Sequence, residues 1–145
     1  MAIVMVFTYM PSGMGVETAW ADTAMPINDA AGFAAMDAGG NYKLTTDITI
    51  TAPYANVFTG TFDGGGHTVT LDGTTNGVFV STAASAVIQN LGVNGTVSGG
   101  EKIAGVVGMN AGTIKNCKNA ADITSDSRYV GGIAGQNKGT IQSCY

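Results

Sequence analysis

Two cysteines and one histidine are the side chains in this 145-residue sequence that invite a thiol, imidazole or zinc reading first. Cys117 and Cys144 are 27 residues apart. In coils of that length stacked on one another they stand side by side, with Cα atoms about 5 Å apart, within disulfide range. The same position also suits a small inward-facing apolar side chain, and Leu91 fills the matching slot one repeat earlier. A disulfide and a core ladder are therefore both open readings, since export permits oxidation. A zinc site is not expected, because two cysteines in separate coils and one distant histidine do not make a ligand set.

His67 sits in Asp63-Gly64-Gly65-Gly66-His67-Thr68-Val69. General-base work needs a second positioned partner, and no Ser or Cys motif accompanies the pair, so a glycine-rich turn entering a strand is the expected role. Gly64 to Gly66 make no phosphate loop, because neither the Lys-Ser/Thr ending nor a following helix is present. Polysaccharide cleavage requires two or three converging acids. From Lys43 onward the acids are Asp47, Asp63, Asp72, Glu101, Asp122 and Asp126, spread singly among turns without a repeat-equivalent pair. That scarcity also disfavours calcium, which takes several oxygen ligands together. The chain is expected to be no enzyme and to hold no metal or cofactor. Thr49/Thr51, Thr59/Thr61 and Thr68/Thr70 form Thr-x-Thr pairs, but their spacings of 10 and 9 residues match no coil, which argues against an ice-binding face.

The elements that must position these residues show themselves as a repeat. Ile103 to Cys117 aligns without gaps on Val130 to Cys144 at an offset of 27 residues. Gly105, Gly108, Asn110, Gly112, Thr113, Ile114 and Cys117 recur as Gly132, Gly135, Asn137, Gly139, Thr140, Ile141 and Cys144, seven identities in fifteen positions. A weaker copy precedes them: Gly77 to Val80 answers Gly105 to Gly108 at an offset of 28, and Val87 to Leu91 answers Thr113 to Cys117 at 26. The unequal offsets put extra residues in a turn, which stacked coils tolerate. Short alternating strands, such as Ile114 inward and Lys115 outward, are separated by glycines free to take positive φ. One coil cannot bury its apolar side, but stacked coils align Ile88, Ile114 and Ile141 in one internal ladder and Asn110 over Asn137 in another.

Gly105-Val106-Val107-Gly108 and Gly132-Ile133-Ala134-Gly135 resemble the GLUG-motif repeats of bacterial surface proteins, with Val or Ile at the Leu position; Gly77-Val78-Phe79-Val80 lacks the closing Gly. Asn41 to Ile50 and Phe58 to Leu71 look like the opening turns that precede such repeats. The resemblance covers residues 41–145. It implies an extracellular parallel β-helix and carries no catalytic residue.

Composition agrees with that reading. Only 11% of residues are charged and 22 are Gly, which favours short strands joined by turns. The net charge is -4, no base precedes Lys43, and no basic stripe offers itself to a phosphate backbone or an anionic membrane. Residues 1–24 open with an apolar run, break at Pro11 and reach Ala19-Trp20-Ala21, resembling a signal peptide without its basic start. The run is too short for a stable membrane span. Residues 25–40 are expected to form a short capping helix, N-capped at Asn28 or Asp29 and stopped by Gly39-Gly40. Residues 41–145 then make an all-β, right-handed parallel β-helix of about 4 to 5 coils, with repeats at 77–102, 103–129 and 130–145. The expected function is a noncatalytic, secreted or cell-surface module, an adhesin-like spacer or a binding face for glycan or protein. Two alternatives are a solenoid stacking end to end through unpaired strands near Tyr145, and a fragment of a polysaccharide-degrading enzyme.

Overall fold

The computed structural model describes residues 23–145, so the leader expected over 1–24 lies, except for its last two residues, outside the described residues. Alternation sets the strands: in Asn41–Leu44 (β2) the buried Tyr42 and Leu44 flank exposed Lys43, and in Ile48–Ile50 (β3) two buried isoleucines flank exposed Thr49. Side chains of period two leave each strand apolar on one face and polar on the other.

Three long sheets result. The first stacks Met25–Ile27 (β1), β2, Thr61–Asp63 (β5), Val87–Gln89 (β8), Thr113–Lys115 (β12) and Thr140–Gln142 (β17). The second stacks β3, Thr68–Thr74 (β6), Gly92–Ser98 (β9) and Lys118–Asn119 (β13), with Asp122–Thr124 (β14) also on β9. The third stacks Tyr54–Phe58 (β4), Phe79–Thr82 (β7), Val107–Asn110 (β11) and Ala134–Asn137 (β16). Ile103–Ala104 (β10) and Val130–Gly131 (β15) form a small fourth pair. β2, β3 and β4 lie in three different sheets, and each pairs in parallel with the strand three places on. A chain that winds through successive sheets and stacks on itself in parallel is an all-β, parallel β-solenoid.

Register fixes the interior. Tyr42 stands beside Phe62, Phe62 beside Ile88, Ile88 beside Ile114 and Ile114 beside Ile141. The step from Asn41 to Thr61 is shorter than the later steps from Thr61 to Val87, Thr113 and Thr140, so the opening coil is tighter. Phe33, Tyr54, Phe58, Phe62 and Phe79 fill the inside of the first two coils as an aromatic cluster, mostly edge-to-face, with centroids from 5.1 to 6.1 Å apart. Such pairs contribute roughly 0.5–1.5 kcal/mol each beyond the burial of their area.

The expected helix is confined to Ala30–Ala34 (α1), and Met25–Ile27 is instead the strand that pairs with β2. The Asp29 side chain accepts the Gly32 N–H at 2.7 Å, the N-cap bond that starts the helix. Phe33, 2% exposed, carries α1 onto the aromatic cluster. Residues after Ala35 leave the helix because Met36 and Asp37 are drawn to the first coil: Tyr54 Oη donates to the Met36 carbonyl and the Asp37 N–H donates to Tyr42 Oη.

The repeat glycines serve a purpose different from the expected one. Positive φ belongs to Gly65, Gly66, Gly73 and Gly95, while the corners of the repeats place Asn90, Lys102, Asn116, Tyr129 and Ser143 in the left-handed region at φ 53–64°. Gly105, Gly108, Gly112, Gly135 and Gly139 keep ordinary φ and are required by the close approach of their own and adjacent coils. A Cβ on Gly112 would meet the Ala86 carbonyl, and one on Gly139 the Gly112 carbonyl.

Candidate functional site

The corner between the first and second sheets holds both cysteines. The structure has them as two free thiols, Cys117 buried and Cys144 half-buried. Each thiol reaches back two residues and one coil: Cys117 Sγ to the Lys115 and Ile88 carbonyls at 3.3 and 3.8 Å, Cys144 Sγ to those of Gln142 and Ile114 at 3.2 and 3.7 Å. The Cys117 N–H donates to Cys144 Sγ at 3.4 Å. Burial pushes the Cys117 thiol up to about 12, and the neighbouring Cys144 adds to the rise. Such a thiol is protonated and a poor nucleophile near neutral pH. Beside it runs a shallow groove whose lining includes Leu91, Asn116, Lys118, Ser143 and Tyr145.

Asp63 and His67 do not meet. Asp63 accepts from the Gly65 N–H at 2.8 Å, Asn90 Nδ2 at 3.1 Å and Gln89 Nε2 at 3.2 Å. Burial raises its proton affinity, but these bonds and the charge of Lys43 outweigh it and hold the carboxyl below its usual value. It is a turn fastener between coils. His67 Nδ1 instead lies 3.5 Å from Asp47, whose carboxylate also accepts the Thr68 N–H at 2.8 Å. Glu101 faces Arg128 at 3.5 Å across two exposed side chains, a pair of small energetic weight. Among the described residues no three His, Cys, Asp or Glu side chains gather as a metal site.

A second corner, after the third sheet, is built from carboxamides. Asn110 Nδ2 donates to Asn137 Oδ1 at 2.8 Å and to the Gly112 carbonyl at 3.1 Å, while its Oδ1 accepts the Gly112 N–H. Asn137 repeats this turn with Gly139. Thr82 completes the row one coil earlier, donating to Asn110 Oδ1 at 2.7 Å. Thr82 escapes sequence reading because the weak repeat has no Asn at that position; its place next to Asn110 comes from the pairing of β7 with β11. The motif residues thus stack as ladders of like groups, and their polar atoms are consumed in holding coil to coil.

These features define a parallel β-solenoid. No family model matches the chain, and no solved structure matches it. The chain is similar to halomucin of Haloquadratum walsbyi, 40% identical over an alignment of 114 residues that covers 61% of this chain. The chain spans about 1% of the length of that relative.

Proposed function

We propose that this chain is a noncatalytic module of a cell-surface or secreted protein, a GLUG-type right-handed solenoid of four to five coils that acts as a spacer or presents its outer faces to glycan or protein. The observation that carries the reading is the use of repeat-equivalent groups to tie coil to coil: Asn110 Nδ2 donates to Asn137 Oδ1, the Cys117 N–H donates to Cys144 Sγ, and Cys144 Sγ reaches the Ile114 carbonyl. A repeat conserved in this way within one chain builds length, and leaves the outward positions free to vary. α1 acts as the cap of the first coil, since Phe33 covers the aromatic cluster from that end. The likeness to a segment of halomucin, a mucin by name, supports a surface setting. Arrays of glycans and of extracellular matrix proteins, probed with the purified chain, test the binding role: saturable capture of one class is expected. Hydrolysis or eliminative cleavage of a polysaccharide would overturn the noncatalytic reading.

A second reading rests on the last coil. Tyr129, Val130, Ile141 and Tyr145 are 45%, 42%, 39% and 82% exposed, and β16 and β17 each have a strand neighbour on one side only. Such edges pair with other strands, and this one fits a further coil of the same repeat.

A further inference from the structure

We propose that Asn94 is the acceptor of an N-linked glycan, displayed on the outer face of the second sheet. Of ten asparagines in the sequence, Asn94 alone is followed at the second position by Ser or Thr, as Asn94-Gly95-Thr96 with no proline between. That spacing presents a carboxamide and a hydroxyl together to a glycosyl transferase.

The structure presents this triplet as an acceptor. Asn94 lies in β9 next to Val93, which is 2% exposed, so alternation turns the Asn94 side chain outward, and it is exposed. Its Oδ1 accepts the Gly95 N–H at 2.8 Å, and among the described residues nothing accepts from Nδ2, the atom that would carry the sugar. Gly95 adopts φ +97°, and the ladder to β6 slips here: Leu71 pairs with Gly95 and Thr74 with Val97, so Asp72 and Gly73 together face Thr96. That bulge aims the strand outward. Thr96 Oγ1 is held in place by the Gly73 N–H at 3.3 Å. On the other flank the pairing is broken between Asn119 and Asp122, where Ala120 and Ala121 pass with the smallest side chains available. Thr70 is the neighbour on the β6 side. A sugar on Nδ2 therefore meets small residues in both directions across the sheet. The asparagines of the interior differ: Asn110 is 2% exposed and spends both ends of its carboxamide on the ladder.

The donor is a glycan linked through diphosphate to a polyprenyl lipid. The bond from sugar C1 to the phosphate oxygen breaks, C1 bonds to Asn94 Nδ2, the amide proton leaves to a base of the transferase, and the lipid diphosphate departs. In a chain with 11% charged residues, the glycan adds hydration to a face where the immediate neighbours of Asn94 are Thr and Ala.

The inference rests on the export proposed above, and two arms keep the failures apart. In the first, the chain is sent across a secretory membrane by a supplied leader, in cells that hold the transferase, and the tryptic peptides are weighed. One glycan mass on the Asn94 peptide is expected, lost in Asn94→Gln and Thr96→Val and retained in Thr96→Ser, with far-UV circular dichroism unchanged in all three. An unmodified Asn94, or a glycan that persists in Thr96→Val, overturns the inference whatever the native location. In the second arm, chain released by protease from the surface of its own cells is weighed: a glycan on Asn94 supports the inference, and a surface chain with bare Asn94 overturns it while leaving the surface reading intact.

Discussion

At 2% exposure, the Asn110 carboxamide accepts from Thr82 and the Gly112 N–H and donates to Asn137 and the Gly112 carbonyl. Removing it strands those partners inside the stack. Asn110→Ala is expected to cost about 3 kcal/mol in urea unfolding, and Asn137→Ala, whose own turn is exposed, at most about 1 kcal/mol. Equal losses would show that the ladder carries no extra weight inside the solenoid. Cys117 makes a second prediction through its proton. Burial, with Cys144 beside it, holds the folded thiol near 12 against an ordinary 9.0, so between those values the folded chain binds the proton that the unfolded chain has lost. The stability contributed is present below pH 9 and falls as pH rises toward 12, by at most about 1.4 kcal/mol per pH unit. Urea midpoints measured from pH 8 to pH 11 are expected to decline more steeply in the parent than in Cys117→Ala; parallel lines would contradict the burial of this thiol.

Glycine placement is an argument about elements, because the coil above decides whether a methyl group fits. A Cβ on Gly105 would meet the Asn119 side chain and, at 2.7 Å, the Gly132 carbonyl, whereas on Gly132 its nearest neighbour would be Asn119 Nδ2 at 3.8 Å. Gly105→Ala is expected to destabilise by about 2–3 kcal/mol, and Gly132→Ala by under about 0.5 kcal/mol. Thermal melts of the two variants check this, and a reversed order would contradict the stacking register. The same pair shows what the sequence makes legible. An alignment of 103–117 with 130–144 exposes the period and the ladders of Ile114 over Ile141 and Asn110 over Asn137, because identical demands recur in each coil. It does not expose that Gly105 and Gly132 meet different surroundings, since that depends on which coil lies above. The aromatic cluster was hidden for a related reason: Phe33, Tyr54 and Phe58 belong to the helix and the tighter opening coil, and Phe62 stands where the later coils carry Ile88 and Ile114. Left-handed corners at Asn90, Asn116 and Ser143 were hidden because Asn and Ser share one conformation there. For the candidate site, the cysteine neighbours were legible from spacing, while the turn role of Asp63 needed its three hydrogen bonds.

Among the described residues the coils form one stack, and at its last coil β16 and β17 each have a strand neighbour on one side only. The uncovered Ile141 continues the internal ladder of Ile88 and Ile114, so the edge offers both hydrogen bonds and apolar area to a further coil. Light scattering is expected to show mass rising with concentration, and Ile141→Lys is expected to return the chain toward a monomer; a concentration-independent monomer would contradict stacking through this edge. Asn110 and Cys117 of the repeat are buried between coils, and presentation of the outer faces at a surface is the proposed task. The direct test is labelling of intact source cells with a membrane-impermeant amine reagent, followed by recovery of the chain and mapping of Lys43, Lys102, Lys115, Lys118 and Lys138. Labelled lysines on intact cells are predicted. Labelling seen after lysis alone would contradict the surface module.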